Sequence, residues 1–330
     1  MMMERATKNT TSDITTMDNT SSWLLLSPEV INLDAIKKHF AEFEFTLDGN
    51  KGSHDQSELS TRGWQYYGSA ELRFYQSACQ IQLPCSVEVS RPLIERVSEH
   101  FKCDYCLVKE SLDTLKAIKL AVFDMDSTLI PMEVIDELAA EAGVKEQVAE
   151  ITEAAMRGEL DFDQSFEKRL LLLKGMPVDA VNQVKARLTF NPGVETCIRY
   201  LSHQGATVAV ASGGFIPFAK ALAHQVPISK IHANTLDFEQ GRLTGNAMKP
   251  ILNAAGKAEQ VKVWQSELVI EQQEILAVGD GANDSLMLKA AGLGVAYKAK
   301  PYLRQQADCV IQFGEMDGLI DVIELLCAHN

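Results

Sequence analysis

Two aspartates one residue apart, in Asp124-Met125-Asp126-Ser127-Thr128, close a short apolar run, and two more close another in Gly279-Asp280-Gly281-Ala282-Asn283-Asp284. Carboxylates gathered in this way repel one another, and a bound divalent cation relieves the repulsion. Mg²⁺ suits the task because it accepts one or two carboxylates together with the oxygens of a substrate phosphate. A carboxylate is also a workable nucleophile toward phosphorus and divides phosphoester hydrolysis into two easier steps. A third apolar run ends Ala211-Ser212-Gly213-Gly214-Phe215 ahead of a helical pattern. A hydroxyl and glycine-exposed N–H groups are therefore expected at a helix N-terminus, where phosphate binds readily. Lys257, near the start of the helical pattern Ala254 to Gln265, can neutralise phosphate charge. Nucleophile, metal, anion seat and cation together form the equipment of phosphoryl transfer.

Each group alone has an innocent reading. A DxD pair occurs in turns, SGG is a common loop tripeptide, GDGxND resembles calcium loops, and a lone helix lysine is usually a solvated charge. Their joint occurrence, each at the end of an apolar run, points to a single site.

The elements that must position these residues are short apolar runs alternating with helical periods. Strands are predicted at Ile118 to Phe123, Thr207 to Ala211, Glu274 to Val278, Leu293 to Ala296 and Cys309 to Ile311. Helices are predicted at Gly193 to His203, Ile216 to Ala223, Ala254 to Gln265, Ser285 to Ala291 and Asp317 to Leu326. This alternation predicts an α/β fold with a Rossmann-like, doubly wound parallel sheet. Pro131 to Phe190 carries several helical periods and no convincing strand. A helical insertion directly after the first strand stands at the carboxyl edge, where open sheets bind ligands, and so reads as a cap.

The four groups Asp124-Met125-Asp126-Ser127-Thr128, Ser212-Gly213-Gly214, Lys257 and Gly279-Asp280-Gly281-Ala282-Asn283-Asp284 resemble the four motifs of the haloacid dehalogenase superfamily. The forms DxDST, SGGF and GDGANDxxM are similar to its phosphoserine phosphatase branch, and the resemblance covers about residues 117 to 330. It implies Mg²⁺-dependent hydrolysis of O-phospho-L-serine through an aspartyl-phosphate, the last step of serine biosynthesis. In this scheme Asp124 is the nucleophile, and Asp126 is general acid and then general base. The metal is held by Asp124, the Asp126 backbone carbonyl and Asp280, with Asp284 supporting it. Ser212, Gly213, Lys257 and Asn283 are implied substrate contacts. The cap has to recognise an ammonium and a carboxylate, and the resemblance assigns these to Glu133 and Arg169; Arg suits bidentate carboxylate binding. Met156 and Phe162 resemble the family's apolar wall. Other small phosphates, such as phosphohomoserine or a phosphosugar, remain alternatives, as does a sensing protein with a silent enzyme half.

Upstream the chemical signals fade. Residues 1–22 are polar, lack periodic apolar positions and read as a disordered tail. Residues 23–112 read as a small α+β domain ahead of a catalytic unit at 113–330, with helices at Leu33 to Phe45 and Pro92 to Phe101 and one or two strands within Glu71 to Gln82. This segment weakly resembles the ACT-like domains attached to some bacterial phosphatases, which would imply ligand sensing or a homodimer. The pair Cys103-Asp104-Tyr105-Cys106 has no second pair at zinc-site spacing, so it reads as two ordinary thiols near a domain edge. Seven scattered cysteines fit reduced thiols in a cytoplasmic protein. A net charge of −14, from 45 acidic against 31 basic residues, repels nucleic acid. No apolar run approaches the ~20 residues of a bilayer span.

Overall fold

The computed structural model describes residues 20–30, 32–41, 64–67, 72–83, 85–108 and 117–328. The tail reading for residues 1–19, the end of the helix drawn to Phe45, the strand start at Glu71 and the boundary at 112/113 lie outside them. The tail reading fails at its upper end, because Ser21–Ser27 is a strand, β1. Its residues are buried on both faces, Trp23 and Leu25 in one core cluster and Leu24 and Leu26 in the other. A strand covered on both sides shows no polar–apolar alternation.

Helix α1 (Leu33–Ala41), strands β2 (Trp64–Tyr67) and β3 (Ser77–Leu83), helix α2 (Val87–Phe101) and strand β4 (Asp104–Val108) follow. Only β3 forms among the described residues of the Glu71 to Gln82 stretch, and Pro92 lies inside α2 rather than at its start. The order βαββαβ, with antiparallel strands arranged β2-β3-β1-β4, is ferredoxin-like among the described residues.

β4 then pairs antiparallel with β12 (Cys309–Ile311), matching Cys106 to Cys309 and Tyr105 to Val310. Among the described residues, one ten-stranded sheet thereby crosses from the N-terminal unit into the catalytic unit. Cys103 and Cys106 are buried along this seam, and none of the seven cysteines is in a disulfide.

Two buried aspartates fasten the seam. Asp104 accepts bonds from Tyr75 Oη (2.6 Å) and from the backbone N–H groups of Gln312, Phe313 and Gly314 at 2.6–2.8 Å. Asp321, from α12 (Gly318–Ala328), accepts the N–H groups of Arg73, Phe74 and Tyr75, each at 2.8 Å. A side chain at Gly314 or Gly318 would collide with the Tyr75 ring.

The catalytic half consists of β5 (Leu120–Phe123), β6 (Thr207–Phe215), β7 (Lys230–Asn234), β10 (Ile275–Gly279), β11 (Leu293–Tyr297) and β12, paired in parallel in the order 12-11-10-5-6-7. Every residue of β5, β10 and β11 is buried, as expected where helices cover both faces. The connections diverge between β5 and β10, and a crevice opens at their carboxyl ends.

The insertion after β5 holds α3 (Val134–Ala142), α4 (Lys145–Met156), α5 (Phe162–Leu172) and α6 (Val178–Ala186), which roof this crevice. The hairpin β8 (Phe238–Glu239) and β9 (Arg242–Leu243) tethers the roof: Gly175 N–H reaches the Leu243 carbonyl at 2.8 Å and Val178 N–H the Gly241 carbonyl at 2.9 Å. Helices α7 (Val194–His203), α8 (Ile216–Ala223), α9 (Ala254–Leu268), α10 (Ser285–Lys289) and α11 (Pro301–Gln306) complete the layers. A match to the sequence-derived elements exists for all of these except α11, β7, β8 and β9.

Candidate active site

β5 hands the chain to Asp124 at the mouth of the crevice, where its N–H still bonds the Val278 carbonyl of β10 at 2.9 Å. The Asp124 carboxylate is divided in its duties. Oδ1 accepts Lys257 Nζ and the Met125 N–H, each at 2.8 Å, while Oδ2 has no partner among the described residues, and Asp124 lines the cavity. The arrangement presents one anchored oxygen and one reactive one.

Lys257 stands in the first turn of α9, which Asn253 caps by accepting the Gly256 N–H. Its ammonium, 1% exposed, bridges Asp124 and Asp284 at 2.8 and 2.7 Å. Asp284 is fully buried, and its other oxygen accepts the N–H groups of Asp280 and Gly281, both at 3.1 Å. Asp284 is thus a strut under the site rather than a member of its rim. A Cβ at Gly279 would run into this carboxyl group, so the turn needs glycine there.

Burial, then repulsion from Asp284, raises the Asp124 carboxyl well above its ordinary range despite Lys257. The same two causes raise Asp280 to about 6. Burial alone would depress the Lys257 ammonium, but Asp124 and Asp284 override it and raise it. Asp124, Asp280 and Asp284 offer oxygens within 4.8 Å of one another. Both Asp284 oxygens are already committed, whereas Asp280 and Asp124 Oδ2 have lone pairs to spare. All-oxygen donors of this kind fit a hard cation.

Asp126 lies beside them. Its Oδ1 accepts the Val134 N–H at the start of α3 (2.9 Å), and its Oδ2 faces Ser212 Oγ at 3.4 Å. Burial, then Glu133, pushes its carboxyl up to about 7. Ser127, in the left-handed region at φ +57°, turns the chain so that its hydroxyl reaches Glu133 at 2.8 Å.

The expected phosphate seat is displaced from a helix terminus. Ser212, Gly213 and Gly214 are extended within β6 at a register shift, and α8 begins only at Ile216. The Gly214 N–H is taken by Ser212 Oγ at 2.9 Å. A Cβ at Gly214 would strike Asp126 and Met125. Asn234, which sequence reasoning missed, fixes the bulge by donating to the Gly213 carbonyl and accepting the Leu252 N–H, each at 2.8 Å. A polar residue at the end of a strand hidden by its edge position gave no signal.

Above these residues lies a cavity of about 320 Å³. The core lines it with Asp124, Asp126, Gly213, Asp280, Asn283 and Lys300, and the cap with Glu133, Asp136, Phe162, Phe166 and Arg169. Burial lowers the Arg169 guanidinium, while Asp136, Glu133 and Asp126 oppose the shift. Phe166 packs against Phe215 with ring centroids 5.7 Å apart and the planes tilted by 39°, joining cap to core. Of the predicted residues off this lining, Ser212, Lys257 and Asp284 are buried beside it, whereas Met156, at the last turn of α4, is 80% exposed. Phe166 and Ile135 take the apolar wall in its place. Asp136, Phe166 and Lys300 carried no motif of their own and were missed.

A parallel sheet that presents a half-anchored aspartate and a buried lysine at its switch point, beneath a lid of helices, defines a capped, doubly wound α/β enzyme. The chain belongs to the haloacid dehalogenase-like hydrolases, whose family pattern matches residues 118–292. It is 42% identical over 243 residues to the probable phosphoserine phosphatase of Schizosaccharomyces pombe, covering 72% of this chain and 80% of that one. The unliganded probable phosphoserine phosphatase of Vibrio cholerae superposes with a TM-score of 0.71 at 30% identity, covering 93% and 88% of the two chains. A phosphoserine phosphatase solved as a phospho-aspartyl intermediate analogue superposes with a TM-score of 0.59 at 40% identity, covering 63% and 99%.

Proposed function

We propose that this chain is a phosphoserine phosphatase that hydrolyses O-phospho-L-serine to serine and phosphate. The observation that carries the reading is the split Asp124 carboxylate, one oxygen pinned by Lys257 and the other open to a cavity that also presents Arg169 and Glu133. Asp124 Oδ2 attacks phosphorus in line, the P–O bond to the seryl oxygen breaks, and Asp126 supplies the proton to that oxygen. Asp126, now a carboxylate, takes a proton from water as the water attacks the aspartyl-phosphate. Phosphate leaves and Asp124 is restored.

Asp124, Asp280 and the Asp126 carbonyl would hold Mg²⁺, which withdraws charge from the phosphoryl oxygens when bound. Lys257, Ser212, the Gly213 N–H and Asn283 contribute fixed positive ends toward the same oxygens. Arg169 receives the substrate carboxylate and Glu133 its ammonium, while Phe162 and Phe166 exclude water.

The ferredoxin-like N-terminal order supports an ACT-like unit serving ligand sensing or pairing of two copies. Seven cysteines outside any disulfide support a cytoplasmic setting, and no helix among the described residues is long and apolar enough to cross a membrane.

The test is phosphate release from L- and D-phosphoserine, phosphothreonine and phosphohomoserine, with Mg²⁺ and with EDTA. L-phosphoserine is expected to lead by kcat/KM, with EDTA abolishing turnover. Arg169→Ala is expected to raise KM for phosphoserine about a hundredfold while sparing a phosphoester without a carboxylate. Equal effects on both esters would remove Arg169 from substrate recognition.

A further inference from the structure

The cavity lining carries five carboxylates and two cations, Arg169 from the cap and Lys300 from the core. Lys300 has no role so far. We propose that Lys300 is a core-side anion clamp: its ammonium captures the phosphate arm of the substrate at the cavity mouth and holds it against Asn283 and Asp280. This inference rests on the phosphomonoester reading above and extends it to a residue outside the four motif groups.

Three observations support it. First, the residue is anchored while its side chain is free. The Lys300 N–H bonds the Asp280 carbonyl at 3.0 Å, its own carbonyl accepts the Leu303 N–H at 3.0 Å, and Pro301 opens α11 immediately after it. The Cα is therefore fixed relative to a metal-site carboxylate, and only the flexible stem moves.

Second, its charge is available. The Lys257 ammonium is shared between Asp124 and Asp284, and Arg169 is countered by Asp136 and Glu133. Arg304, one turn further along α11, is paired to Glu99 at 2.9 Å. Among the described residues Lys300 forms no ion pair, though its charge reaches Asp280.

Third, it is an exposed residue on the lining of a cavity where five carboxylates outnumber the two cations. A dianionic phosphate approaching such a cavity is repelled unless a cation stands at the entrance. A free lysine there both steers and holds the incoming group. Lysine suits this task as a compact charge on a flexible stem with three donors.

The experiment compares the full chain with Lys300→Met and Lys300→Arg at saturating Mg²⁺, after circular dichroism shows equal folding. Inorganic phosphate binding is measured by calorimetry, and KM and kcat for phosphoserine are measured across ionic strengths. Lys300→Met is expected to weaken phosphate binding and raise KM about tenfold, with the loss falling chiefly in KM. Its KM is expected to depend less on salt than the parent's, and Lys300→Arg to recover most of the affinity. Unchanged phosphate affinity and KM in Lys300→Met would overturn the proposal, as would a loss confined to kcat. A parent protein that binds phosphate but leaves phosphoserine intact breaks the substrate reading, and Lys300 is then judged by its phosphate affinity alone. A parent that binds no phosphate overturns both.

Discussion

Buried aspartates occupy two regions of this sheet, and they are treated in opposite ways. At the seam between the N-terminal and catalytic units, every carboxylate oxygen of Asp104 and Asp321 is answered by backbone N–H groups or a tyrosine hydroxyl. Burial raises the Asp104 carboxyl, and four donors pull it back. At the crevice the supply of donors is withheld from chosen oxygens: Asp124 keeps one free and Asp280 keeps both. Buried polar groups left unmet are costly, so a fold retains them where a ligand completes the set. A satisfied carboxylate joins structure to structure, and an unsatisfied one waits for substrate and metal.

This contrast can be broken in both directions. The largest effect is expected at Asp124. Asp124→Asn removes the nucleophile and should lower turnover of phosphoserine about 10⁴-fold or more, with a melting temperature equal to or above the parent's because repulsion with Asp284 is relieved. A loss of stability larger than the loss of activity would erase the distinction.

Asp104→Ala is the mirror image. It strands three N–H groups and the Tyr75 hydroxyl, so urea unfolding is expected to show about 3 kcal/mol of destabilisation. The folded fraction should retain the parent's kcat. Normal stability in this variant would show that the seam does not depend on its aspartate.

A smaller effect sharpens the crevice side. Asp126 must be protonated to release the seryl oxygen, and its carboxyl titrates at about 7 through burial and Glu133. The first chemical step is therefore complete below that pH and fades as pH rises through it. Glu133→Gln removes a negative neighbour and lowers the Asp126 value, so the alkaline limb of kcat should move to lower pH. A limb that stays in place or moves upward would end the assignment of Asp126 as the acid.

Much of the catalytic half was legible beforehand. Cys309–Ile311 and Ile216–Ala223 fall where the pattern put them, and β5, β6, β10 and β11 within a few residues, because buried parallel strands are unbroken apolar runs. The elements that escaped share a cause. β7 is an edge strand with only Asn234 fully buried, and β4 reads as Asp-Tyr-Cys-Leu-Val, where a buried aspartate disguises a strand. Met156 was misassigned because spacing along a helix gives no account of which way the last turn faces once the helix is packed. Lys300 was overlooked because a single lysine before a proline is a commonplace.

By itself the sequence determined the chemistry: which carboxylates gather, which lysine answers them, and that a helical roof follows the first strand. Those facts depend on residue type and local period, which are carried by neighbouring residues in the chain. Tertiary structure decided the rest. It sank Asp284 beneath the site, stretched the Ser212 seat into a strand bulge, turned Met156 to solvent, and ran ten strands through both units by pairing Cys106 with Cys309, 203 residues apart. Each outcome depends on contacts between distant segments, whose partners are chosen by packing and hydrogen-bond supply and leave no periodic mark on the residues that make them.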